Sequence, residues 1–126
     1  VGVNGMLVSL LYRHTPQTLR MILIDPKQVE FELYDGIPHL LTPVISDPGK
    51  ALNALKWAVG EMQRRYSELK SYKVKNLEEY NAKVDISDRM YYIVIVIDEL
   101  ADLIISGNKK EVEHAITRLA QMARAV

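Results

Sequence analysis

The chain has 126 residues, enough for one domain or part of one. Hydrophobic residues make up 48% and charged residues 25%, which supplies a core and excludes a disordered segment. Basic and acidic residues balance at 16 each, so no overall basic field points to nucleic acid, while a local basic patch stays open.

Val3, Met6, Leu7, Leu10 and Leu11 recur at helical spacing, and Thr15-Pro16 ends that run. Residues 20–24 are a short apolar run closed by Asp25-Pro26, which predicts a buried strand of a parallel sheet. Gly36, Pro38, Pro43 and Pro48 mark a loop-rich stretch in which residues 43–45 leave room for a brief extra strand. Asp47 followed by Pro48 predicts a helix start, an N-cap with proline at the first helical position. Leu52, Leu55, Val59, Met62, Tyr66 and Leu69 give that helix its apolar stripe. Asn76 predicts the cap of a short helix holding Leu77 and Tyr80, within a polar stretch, 70–88, that carries no clear periodicity. Residues 91–97 are a continuous β-branched and aromatic run, the strongest strand signal in the chain. Gly107-Asn108 breaks the pattern, and Val112, Ile116, Leu119 and Ala123 mark a final helix. Strands alternating with helices predict an α/β fold, a parallel sheet flanked by helices on both faces, in which residues 20–24 and 92–97 are parallel strands with Asp25 and Asp98 emerging at the same edge.

No apolar run approaches the roughly 18–20 residues that span a bilayer, and the first residues lack a signal-peptide layout. The sequence opens at Val1 in a helical pattern and stops at Val126 in another, which predicts a piece of a longer protein. The absence of cysteine excludes disulfides and thiolate metal sites. His14, His39 and His114 are scattered without zinc-site spacing, so no zinc centre is expected. Trp57, Tyr91 and Tyr92 are expected to pack rather than to stack on bases, and Lys109-Lys110 to be a solvated pair.

The chemistry concentrates where the strand 92–97 ends in Asp98-Glu99. In open α/β sheets ligands bind outside the carboxyl ends of the strands. Two adjacent acids there point in different directions and can take different tasks. One suits Mg²⁺ held largely through water, and the other can orient or deprotonate an attacking water. That is the Walker B arrangement of a P-loop NTPase, although a strand that simply ends in two solvated acids has the same local sequence. Asp25 also follows an apolar strand, and a turn or helix-start role is expected for it. No G-x-x-x-x-G-K-[ST] occurs, so the phosphate cradle is not in these residues.

Several segments together resemble the FtsK/SpoIIIE family of DNA translocases. Val1-Gly2-Val3-Asn4 is similar to the stretch directly after that family's Walker A. The similarity continues in order through Ile24-Asp25-Pro26-Lys27, Gly36-Ile37-Pro38-His39-Leu40-Leu41-Thr42, Ala54-Leu55-Lys56-Trp57-Ala58-Val59 and Glu61-Met62-Gln63-Arg64-Arg65-Tyr66. It closes with residues 96–103 around Asp98-Glu99 and residues 116–125 around Arg124. The resemblance covers nearly the whole chain. It implies that residues 1–126 are a partial RecA-like ATPase domain, lacking the Walker A strand and loop and the C-terminal part.

By position, the resemblance makes Asp98 the ATP-site residue that holds Mg²⁺, Glu99 the catalytic carboxylate, and Arg124 an arginine finger reaching a neighbouring subunit's γ-phosphate. It further implies ATP and Mg²⁺ as cofactors, double-stranded DNA as partner and a homo-hexameric ring. The complete protein is expected at the cytoplasmic face of the cell membrane, anchored outside this segment, in chromosome partition, cell division or DNA transfer. The spacing from Asp98 to Arg124 is one residue longer than is usual in the family, and the loop near residues 82–89 is shorter than in many relatives. Two other readings stand beside this one: a different RecA-like hexameric ATPase, such as a conjugative coupling or secretion ATPase, and a non-enzymatic α/β interaction domain with a chance Asp-Glu pair.

Overall fold

The computed structural model describes residues 2–28, 30–99, 108–123 and 126. Helix α1 spans Gly2–Arg13 and strand β1 Leu19–Ile24. Between them Thr15 O accepts the backbone N–H of both Thr18 and Leu19, a tight reversal that lays α1 back along β1. A single 3₁₀ turn at Glu32–Tyr34 precedes the long helix α2, Pro48–Ser71. Its start is the one the sequence predicts: the Asp47 carboxylate accepts from the Lys50 N–H, with Pro48 next to it. The polar stretch is more regular than its composition suggests. It holds α3, Leu77–Lys83, capped by the Asn76 side chain on the Glu79 N–H, and a 3₁₀ turn at Ile86–Asp88. Strand β2, Tyr92–Ile97, and helix α4, Lys109–Met122, follow.

The two strands are parallel and in register from Leu19 opposite Tyr92 to Ile24 opposite Ile97. On its other side β1 forms parallel bridges to Leu40 and to Ile45, so the brief extra strand expected at 43–45 is reduced to one bridged residue. Ile22 and Ile24 face a cluster with Ala51 and Leu55 of α2 and Val112 and Ala115 of α4. Leu19, Met21 and Leu23 face the opposite way, onto Leu7 of α1 and Phe31. The fold is therefore α/β, a parallel sheet flanked by helices on both faces.

Burial corrects two details of the sequence reading. The buried face of α2 keeps Leu55, Met62 and Leu69 of the predicted stripe and is completed by Ala51, Ala58 and Arg65. The two alanines let the helix sit close to the sheet, and Leu52, Val59 and Tyr66 fall on its flank. The second correction concerns β2, which the continuous apolar run predicts to be buried on both faces. Only Val96 is buried, and Tyr92 is 38% exposed. Among the described residues β2 is the outer strand, and Ile93, Ile95 and Ile97 line an apolar cavity of 360 Å³ shared with α2 and α4.

Glu61 on α2 takes two hydrogen bonds from Arg64, at 2.9 and 2.7 Å, and one from Arg65, at 2.8 Å. Its carboxyl is held below its ordinary value of 4.5, chiefly by Arg64, against the opposing effect of burial and with help from Arg65. A carboxyl whose folded pKa is depressed adds stability that is present above its unfolded value and is lost as pH falls through the folded one. Unfolding followed from about pH 5 to about pH 3 is expected to show the wild type losing more stability than Glu61→Gln. Equal losses in the two proteins would show that these contacts do not favour the ionised form.

Candidate functional site

The parallel register decides where the acids emerge. Asp25 and Asp98 are the next residues after the paired Ile24 and Ile97, so they leave the sheet side by side at its carboxyl edge. The Asp98 N–H donates to Ile24 O at 2.9 Å, and the Asp25 N–H donates to Ile45 O at 2.7 Å, so the edge is knitted across three segments. The reversal at Thr15 brings the amino end of α1 toward the same edge. A helix amino terminus presents unpaired N–H groups and a partial positive charge, which favours anions such as phosphates.

Asp98 is half-buried and Glu99 exposed at this edge. Asp25 is fully buried. Its Oδ2 accepts from the backbone N–H of Glu30 at 2.9 Å and of Phe31 at 3.0 Å, which folds the chain after β1 back on itself. Gln28 closes that turn at φ +59°, in the left-handed region, and its side-chain amide donates to Ser46 Oγ at 2.8 Å. The turn role expected for Asp25 is what the hydrogen bonds describe. Among the described residues its Oδ1 is buried without a hydrogen-bond partner, which no sequence signal announced.

Among the described residues no three His, Cys, Asp or Glu side chains converge as a metal cage. Mg²⁺ is commonly held by one or two carboxylates with water and substrate phosphates completing its shell. A half-buried carboxylate at a sheet edge, with an exposed one beside it, fits that requirement.

Arg124 and Ala125 lie outside the described residues, whereas Met122, Ala123 and Val126 lie within them. The Tyr66 hydroxyl donates to Met122 O at 2.6 Å, and Arg65 Nη1 donates to Val126 O at 3.1 Å. The same Arg65 nitrogen donates to Tyr91 O at 2.8 Å, at the amino end of β2. Arg65 was missed as a buried polar centre. The available signal was an arginine in helical phase with Ala58, Met62 and Leu69. Tyr91 packs as expected, between the guanidinium groups of Arg20 and Arg65, whereas Trp57 is 48% exposed on the outer flank of α2. Lys109 and Lys110 are both exposed.

Comparison with known proteins bears on the whole of this arrangement. The FtsK/SpoIIIE family matches residues 1–126. The chain belongs to that family.

Within the FtsK/SpoIIIE family the chain is 56% identical to the DNA translocase FtsK of Campylobacter jejuni serotype O:2, over 99% of this chain and 13% of the relative. It is 51% identical to DNA translocase FtsK of Helicobacter pylori J99, over 99% of this chain and 15% of that protein. With DNA translocase FtsK of Caldanaerobacter subterraneus the identity is 55%, over 99% of this chain and 17% of that one. The chain thus spans less than a fifth of the length of these FtsK relatives. Among solved structures, the pCW3 conjugation coupling protein TcpA, in a monomer form with ATPgS, superposes with a TM-score of 0.70 at 25% identity, over 87% of this chain and 32% of that one. FtsK/SpoIIIE membership agrees with the resemblance read from the sequence, and the TcpA likeness agrees with the expected nucleotide-handling fold.

Proposed function

We propose that residues 1–126 are part of the ATPase core of a hexameric ring motor that drives double-stranded DNA. The observation that carries this reading is the register of β1 and β2, which sets the acids of the second strand at the carboxyl edge of the sheet beside the amino end of α1. Asp98 would hold Mg²⁺, which would supply neutralisation of the charge that develops on the transferred phosphoryl group. Glu99, exposed and one residue further on, orients the attacking water and accepts its proton. The Walker A lysine and its phosphate-cradling amides come from outside these residues.

Arg124 completes a neighbour's site rather than its own. What supports this is the resemblance to the FtsK/SpoIIIE family, in which the matching position carries an arginine finger. A guanidinium supplied in trans couples hydrolysis to ring assembly.

The cellular setting belongs to the same proposal: the cytoplasmic face of the membrane, where ATP and chromosomal DNA meet, with anchoring outside these residues. No helix among the described residues is long and apolar enough to cross a membrane. A conjugative coupling ATPase is the second reading, favoured by the likeness to TcpA. The higher identity to the FtsK relatives supports DNA translocation as the first reading.

The test compares this 126-residue chain with the complete motor in an ATPase assay with and without double-stranded DNA. The chain alone is expected to turn over negligible ATP because it has no phosphate cradle. The complete motor is expected to be stimulated severalfold by duplex DNA. Substantial ATPase activity in the chain alone, or indifference of the motor to duplex DNA, would overturn the reading.

A further inference from the structure

Asp25 carries one more oxygen than its turn uses. The residue has no exposed surface, and Oδ2 alone holds the chain that follows, through the N–H groups of Glu30 and Phe31. Among the described residues Oδ1 has no hydrogen-bond partner. We propose that Asp25 is the second carboxylate of the divalent-cation site at Asp98, with Oδ1 serving the water shell of the ion. The inference rests on the reading of Asp98 given above.

Position supports this first. Ile24 pairs with Ile97, and the Asp98 N–H closes on Ile24 O at 2.9 Å. The two aspartates therefore follow side by side, on strands about 4.8 Å apart. The alternation of the strands carries both toward the face where Leu23 and Val96 pack with Leu7 of α1. Mg²⁺ is commonly held by one or two carboxylates and keeps several waters, which donate to acceptors around it. Asp98 is half-buried and open to an ion, whereas Asp25 lies deeper. That depth suits an oxygen that meets the water shell rather than the ion.

Chemistry supports it second. The turn needs one acceptor, and an asparagine would take both N–H groups on its amide oxygen without burying a carboxylate. A buried acceptor left without a donor costs free energy that the turn does not return, and such groups call for an explanation. Two carboxylates on neighbouring strands also repel each other. A divalent cation at Asp98 answers both: it offsets the like charges, and its waters are the missing donors, in charge-assisted bonds of the stronger kind. Oδ1 has no contact with solvent as the chain stands, so the bonds from Glu30 and Phe31 must give slightly as a water reaches it.

The experiment uses the complete motor, with Mn²⁺ in place of Mg²⁺ so that free and bound ion are separated by electron paramagnetic resonance. Mn²⁺ is titrated in the presence of ATPγS into the wild type, Asp25→Asn and Asp98→Asn. Asp25→Asn keeps an acceptor for the turn and removes the charge. It is expected to weaken Mn²⁺ binding by about 10- to 100-fold, the scale for groups that act through an ion's own ligands. Binding of ATPγS without metal should stay within twofold of wild type, which a general disturbance of the edge would not allow. If Asp25→Asn binds Mn²⁺ as the wild type does while Asp98→Asn is weakened, or if Asp25→Asn loses metal-free nucleotide binding equally, the inference is overturned and the Asp98 reading stands. If neither variant changes Mn²⁺ binding, the Asp98 reading fails and the inference falls with it. Should Asp25→Asn not fold, the wild type decides. Hydrogen exchange at the Glu30 and Phe31 amides is expected to change severalfold when Mn²⁺ is added to the ATPγS-bound motor, and unchanged exchange at both overturns the inference.

Discussion

Replacing Glu99 by glutamine in the complete motor is expected to lower ATP turnover by about 10³-fold, while ATP still binds with near-native affinity. The amide keeps the size and shape of the carboxylate but accepts no proton. A loss of that size corresponds to about 4 kcal/mol of transition-state stabilisation. It should appear in kcat, because the contact with the attacking water tightens only as the proton leaves. Steady-state ATPase assays together with direct nucleotide-binding measurements separate the two quantities. If Glu99→Gln turns over normally, the assignment of Glu99 as the Walker B catalytic carboxylate fails. Asp25 is not a ready substitute base, since it is buried and its Oδ2 is committed to two backbone N–H groups.

Arg124→Ala is expected to reduce turnover by about 10³-fold or more, the scale of other arginine fingers. Its defect should differ from that of Glu99→Gln in where it falls. A Glu99→Gln subunit silences its own site, and an Arg124→Ala subunit silences its neighbour's. Rings mixed from the two variants should recover turnover at boundaries where an intact Glu99 faces an intact Arg124, when the subunits fire independently. If Arg124→Ala stays within twofold of wild type, attention moves to Arg118 on α4. That residue is half-buried, and its guanidinium lies 3.9 Å from the Met122 sulfur one turn along the helix.

Much of the architecture is legible from one dimension because its causes are local. The start of α2 is set by Asp47 and Pro48, and the start of α3 by Asn76, through bonds that span three residues. The identity of β1 and β2 follows from short apolar runs closed by acids. Local signals also placed Asp98 and Glu99 at a strand end, which is where a catalytic edge forms in a parallel sheet.

What failed to show in the sequence depends on neighbours distant along the chain. The helical period gives α2 an apolar stripe but not its rotation, which is decided by how closely Ala51 and Ala58 allow it to approach the sheet. The β-branched run of β2 predicts a strand but not its coverage. Coverage depends on which element lies on its open side, and among the described residues the isoleucine face opens on a cavity.

The sequence by itself determined the alternation of helices and strands, the helix caps, the acids at the strand ends and the family to which they belong, because each is written in contiguous residues. The parallel strands that bring Asp25 to the same edge as Asp98, 73 positions away, follow from the sequence, and the tertiary structure decided their residue-by-residue register, which is fixed by packing and crossover. It alone showed that Arg65 and Tyr66 close on the carbonyls of Met122 and Val126, separations of 56 and 61 residues. Hydrogen bonds to main-chain carbonyls leave no mark on the side chains of the segment they hold, so no reading of that segment's composition could have revealed them.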